Sequence, residues 1–176
     1  MSKLTKLIWA TILLLITQLS ILSMNRAFAA CDCSNAMVIF GKYEIASLDN
    51  IQQLKVKTLI DSGATTTALD ARSIKMYVNR KGRRWVYYDF YHKPTGKTVS
   101  MHQRVSRVAR VITHSGKPSE RAVVKNAVSI GSTKHFVEMS LINRSNFPQQ
   151  LLIGRNYLAG TALIDSGKSF LQGRKK

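Results

Sequence analysis

From Val38 onward, apolar and polar residues alternate in short runs divided by turn-forming residues, the pattern of half-buried β-strands. Residues 38–46 predict an opening strand with a break near Gly41. The run Leu54-Lys55-Val56-Lys57-Thr58-Leu59-Ile60 alternates cleanly. Residues 84–91 and 97–101 flank Pro94-Thr95-Gly96 and predict a hairpin. Residues 104–112 alternate again, turn at 114–118 and return as a strand at 121–124. Residues 136–142 form a further strand, and residues 162–165 with 169–171 give a terminal one. Residues 68–74 admit either a short helix or an extended segment. Helix is confined chiefly to residues 155–159, so the expected class is all-β, in one domain spanning residues 38–172.

Two segments about ninety residues apart carry the candidate chemistry. Thr58-Leu59-Ile60-Asp61-Ser62-Gly63-Ala64-Thr65 drives an apolar strand into an acidic turn. Leu151-Leu152-Ile153-Gly154-Arg155-Asn156 drives a second apolar run into Gly-Arg-Asn. Water activation by an acid protease needs one ionised carboxylate and one protonated carboxyl. Two carboxyls about 3 Å apart share a proton and titrate as a pair. In the acid-protease family that these motifs resemble, Asp61 would be held near a symmetry mate, Ser62 would bond across to the partner loop, and Gly63 would allow close approach. Ala64 keeps the volume small, and Thr65 belongs to the supporting loop. Gly154 would start the short helix, and Arg155 and Asn156 would tie down the backbone around it.

Together with Ser115-Gly116-Lys117-Pro118, Val128-Ser129-Ile130-Gly131 and Met139 to Arg144, these motifs resemble a bacterial and archaeal family. That family was once labelled ATP-dependent zinc proteases and is now regarded as retropepsin-like aspartic endopeptidases. The resemblance covers residues 38–171. It implies a closed acid-protease barrel with one short C-terminal helix, Asp61 as the catalytic residue and a homodimer, because each chain brings one such aspartate. It also implies a flap, with Ser115, Gly116 and Lys117 at its tip, and makes the 94–96 hairpin an insertion. The aromatic run Trp85, Tyr87, Tyr88, Phe90 and Tyr91 in that hairpin would line a groove or pack a sheet. Arg121, Asn143 and Arg144 fall at positions expected to be structural or near the groove.

The older label fails on the residues. His92, His102, His114 and His135 lack His-Glu-x-x-His spacing, so no metal is expected. Gly167-Lys168-Ser169 resembles the end of a phosphate-binding loop, but position 162 is Ala, so no nucleotide or other cofactor is expected. A second Asp-Ser-Gly at Asp165 follows Gly154 too closely to be the catalytic aspartate of a second lobe.

Charge and the N-terminus bear on partners and compartment. Lys3 and Lys6 precede an apolar run from Leu7 to Leu22, and Ala27-Phe28-Ala29 offers a cleavage site, so residues 1–29 read as a signal peptide. Residues 30–37 are a flexible lead-in and residues 173–176 a basic tail. The expected location is periplasmic or secreted; a lipid anchor through Cys31 is the alternative. Cys31 and Cys33 are the only cysteines, too close for an unstrained disulfide. The formal net charge of +18 favours anionic partners. For an exported chain these are an envelope polymer or a lipid surface, and no specific nucleic acid is expected. The function expected is exported aspartic endopeptidase on peptide or protein substrates. A non-catalytic peptide- or anionic-polymer-binding envelope protein is the alternative.

Overall fold

The computed structural model describes residues 37–112 and 118–173. The signal-like segment, the lead-in up to residue 36, the flap-tip residues Ser115, Gly116 and Lys117, and residues 174–176 lie outside the described residues. The strands are β1 (Val38–Gly41), β2 (Tyr43–Leu48), β3 (Leu54–Ile60), β4 (Thr67–Asp70), β5 (Arg72–Val78), β6 (Arg84–His92), β7 (Lys97–Arg104), β8 (Arg107–Ile112), β9 (Pro118–Ile130), β10 (Thr133–Ile142), β11 (Leu151–Ile153) and β12 (Ala162–Asp165). One short helix, α1 (Arg155–Leu158), precedes β12.

Alternation in the sequence becomes the inside and outside of a barrel. In β3, Val56, Thr58 and Ile60 point inward, while Lys55 and Lys57 stay exposed. The order β10-β4-β11-β3-β2-β9 closes because β9 also pairs with β10, leaving β8 as a flange on β9. Closure removes the open edges of the sheet. Phe40, Leu48, Leu69, Ile130 and Met139 pack the interior. The expected all-β barrel with one C-terminal helix is therefore the observed class.

Residues 68–74 are extended, and they divide between two sheets. β4 is buried along its whole length between β10 and β11, an environment that suits a strand covered on both faces. The chain then passes through Ala71 into β5 of a separate meander, β5-β6-β7, and the second residue of β5, Ser73, has φ 52° where the pairing with β6 is irregular. In β6 the inward positions Val86, Tyr88 and Phe90 join the core. Burial pushes the Tyr88 hydroxyl up to about 12, offset in part by a side-chain bond to Asn126, and the hydroxyl donates to Gln103 Oε1 at 2.8 Å. Tyr87 lies on the outer face and stacks on His102 with centroids 4.1 Å apart. The aromatic run therefore divides between core and outer face.

Two strand boundaries differ from the sequence reading. β9 runs far beyond residues 121–124, because its first half pairs with β8 and its second half with β10 and β2. Residues 169–171 form no strand; they follow β12 as turns that dock on a buried acid. Glu44 is fully buried and accepts the Gly41 N–H at 2.7 Å, the Leu171 N–H at 3.0 Å and the Gln172 N–H at 3.1 Å. Glutamine at this position keeps the volume but sets an amide NH2 against a backbone donor. Glu44→Gln is expected to destabilise the fold by roughly 2 kcal/mol, read as a lower urea midpoint at unchanged m-value.

Candidate active site

β3 and β11 run in parallel, with Ile153 beside Ile60, and deliver their C-terminal ends to one place. Asp61 leaves β3 there, and its N–H donates to Ile153 O at 2.9 Å. Thr58 Oγ1 bonds Leu151 O at 2.9 Å and locks the two strands below the turn. Asp61 Oδ1 accepts the Gly63 N–H at 2.9 Å and the Ala64 N–H at 3.3 Å. These bonds fix one carboxylate oxygen inside the loop. Asp61 is half-buried, whereas Ser62 and Gly63 are exposed. The Ser62 hydroxyl has no hydrogen-bond partner among the described residues.

The Gly-Arg-Asn segment clamps this loop from beneath. Arg155 N–H donates to Ala64 O at 2.8 Å. Its guanidinium donates to Ser62 O at 2.9 Å, Gly63 O at 3.0 Å and Thr65 Oγ1 at 2.9 Å. Asn156 Oδ1 accepts from both the backbone N–H and the hydroxyl of Thr67, each at 2.9 Å, while its Nδ2 donates to Glu138 O at 2.8 Å. Thr67 Oγ1 in turn accepts the Gly154 N–H at 3.2 Å. Asp61, Ser62, Gly63, Ala64, Thr65, Gly154, Arg155 and Asn156 are thus brought together as one unit.

Several supporting residues were not singled out in the sequence. Thr67 links loop and clamp, and no spacing rule marks it. Arg107 reaches the loop from β8, with its Nη2 3.2 Å from Thr66 Oγ1 and its Nε 2.7 Å from Glu138 Oε2. The Ser106 hydroxyl first, and Arg107 second, hold the Glu138 carboxyl below its ordinary range. Farther along β4, buried Asp70 accepts the Arg144 N–H at 2.7 Å and the Gln150 amide at 3.4 Å. Arg144 thus packs at the end of β4, and the charge of Arg121 reaches its guanidinium. Burial lowers the Arg144 guanidinium pKa, and the carboxylates of Asp70 and Asp61 offset part of that effect.

The second Asp-Ser-Gly makes a similar turn, with the Gly167 N–H on Asp165 Oδ1 at 3.0 Å. Asp165 ends β12, in register with Gly41 of β1, and its other oxygen faces Lys168 Nζ at 3.5 Å. Among the described residues, no three His, Cys, Asp or Glu side chains gather as a metal site. His92 is committed to Thr95 Oγ1 at 2.7 Å and Lys55 O at 2.9 Å.

Comparison with known proteins fits this geometry. The family model described as RimB-like, the retropepsin-like aspartic endopeptidase RimB, matches residues 39–175. A protein of unknown function from Legionella pneumophila, solved by crystallography, shares the fold with a TM-score of 0.65 and 24% identity, over 77% of this chain and 98% of that one. A protein named "Probable alpha-L-glutamate ligase" from Shewanella pealeana is 25% identical over 144 residues, 81% of this chain and 31% of that protein. One of the same name from Parasynechococcus marenigrum is 27% identical over 130 residues, 73% of this chain and 28% of its own length. The chain thus spans about a third of the length of these curated relatives.

Proposed function

The chain belongs to the RimB-like family of retropepsin-like aspartic endopeptidases, and from that premise we propose that it hydrolyses peptide bonds as a homodimer. The observation that carries this reading is the Asp61 loop. One carboxylate is fixed by two N–H donors, on a turn whose outer residues, Ser62 and Gly63, stay uncovered. A chain supplies one such aspartate, and the chemistry needs two. A second copy approaching across Ser62 and Gly63 would place its own Asp61 beside the first. One carboxylate then takes a proton from water as the other donates to the carbonyl oxygen. The exposed apolar residues Ile39 and Leu163 on the β1–β12 pair, 49% and 58% exposed, offer such a copy further surface to cover.

The substrate class we favour is acidic peptide. The net charge of +18 draws anions, and Arg107 stands beside the loop at Thr66. The relatives named as glutamate ligases suggest chains of glutamate as a candidate. We place the protein outside the cytoplasm through residues 1–29, with acylation at Cys31 as the alternative anchor. The share of this domain in larger ligase relatives favours a second reading, an acidic-chain-binding module without hydrolysis.

The test is cleavage of glutamate-containing peptides at increasing enzyme concentration. Specific activity rising with concentration and then levelling is the expected result, since only paired chains cut. Tight peptide binding by a monomer, with intact peptide after long incubation, would replace the enzyme with the binding module.

A further inference from the structure

Arg144 is a cation that the hydrolytic mechanism leaves unused. It is the second residue of the segment between β10 and β11 and is only 8% exposed. Its Nε–H donates to Gln149 O at 3.2 Å, and its Cζ lies 4.7 Å from the Phe147 ring centre. Among the described residues it forms no ion pair. Neither Nη makes a hydrogen bond among the described residues. Nor is either Nη sealed away without one, as Arg72 Nε and Trp85 Nε1 are. The guanidinium therefore ends in an unfilled fork that still meets solvent.

The strand register places that fork near the reaction centre. Gln149 and Gln150 lead directly into Leu151, which pairs with Thr58, three residues before Asp61. At strand rise Leu151 is roughly 10 Å along the sheet from Asp61, with Gln149 two residues farther back, a gap that a long side chain shortens. The charges of Asp70, first, and of Asp61 reach the guanidinium, as does that of Arg121 on β9. Arg107 is the competing candidate, but Glu138 and Thr66 already occupy it.

A planar guanidinium fork matches a carboxylate in two parallel hydrogen bonds. A buried guanidinium whose Nη groups lack acceptors is costly to retain, and an incoming carboxylate would lower that cost. We propose that Arg144, assisted by Arg121, determines specificity in the cleavage groove: its Nη fork receives the side-chain carboxylate of an acidic substrate residue close to the scissile bond. This inference rests on reading the groove as a peptide-binding site.

The experiment uses peptides in which one position at a time, from three before to three after the cleaved bond, is Glu or Gln. Wild type is expected to prefer Glu over Gln at least tenfold at one position. Arg144→Gln should erase that preference, the Glu peptide losing at least tenfold relative to the Gln peptide. Arg121→Gln, at a half-buried residue, should weaken the preference in part and serves as the second variant if Arg144→Gln does not fold. A preference unchanged in folded Arg144→Gln, or in folded Arg121→Gln where that variant stands alone, overturns the subsite. If wild type cuts nothing, the endopeptidase reading fails, and the subsite is judged by fluorescence titration of the same peptides. Tenfold weaker binding of the Glu peptide to the variant then supports it, and equal binding overturns it.

Discussion

Asp61→Asn is expected to lower kcat/KM by at least about a thousandfold while leaving the melting temperature within a few degrees of wild type. The two halves of that expectation have separate causes. Asparagine keeps the oxygen that accepts the Gly63 and Ala64 N–H groups at 2.9 and 3.3 Å. The loop, its clamp on Arg155 and its anchor on Ile153 therefore survive. What disappears is the group able to take and return a proton. Because each active pair needs an aspartate from both chains, the variant should also poison the wild type. After subunit exchange with a tenfold excess of Asp61→Asn, wild-type activity should fall to roughly a tenth, since most wild-type chains then sit in mixed pairs. Additive activity, with no inhibition by the excess variant, would mean that each chain works alone or that the pairs do not exchange. Size measurements on the mixture separate those two cases.

The same loop shows what was legible in the sequence. Asp61 to Thr65 and Gly154 to Asn156 were identifiable because their chemistry is local: an acid in a tight turn, a glycine at a close approach, a cation and an amide beside free carbonyls. The barrel was legible because inward and outward positions alternate, as in β2 and β3. The extended form of residues 68–74 was not settled, because β4 is buried on both faces and so shows no alternation. The true length of β9 was hidden for a different reason. Its partners change along its course, and a strand that serves three neighbours need not keep one simple pattern. The docking of residues 171–172 on Glu44 depends on contacts 127 and 128 residues away, which no local rule reports. Thr67 belongs to this class too: it gains its role only when β4 and β11 come together.

Gly154→Ala is the second large effect expected, and it follows from where backbone meets backbone. A β-carbon at Gly154 would lie 2.8 Å from Thr66 C, 2.9 Å from Ala64 O and 3.0 Å from Thr67 N. All three are main-chain atoms of the catalytic loop, so no flexible side chain can swing aside. Relief requires α1 to move away from the loop, which would stretch the bonds from Arg155 to Ala64 and from Asn156 to Thr67. The expected cost is roughly 3 kcal/mol, seen as a melting temperature lower by roughly 10 °C, together with loss of activity. Gly63→Ala is the informative contrast. There the added carbon meets Asp61 Oδ1 at 3.1 Å and nothing else within 4 Å, on an exposed turn. Its fold should melt near the wild-type temperature, yet its activity should fall, because the contact lands on the reacting carboxylate and on the surface a second chain must approach. If Gly154→Ala melts like wild type and cuts as well, the clamp is not what holds the loop. The rigidity of Asp61 would then have to come from β3 and β11 alone.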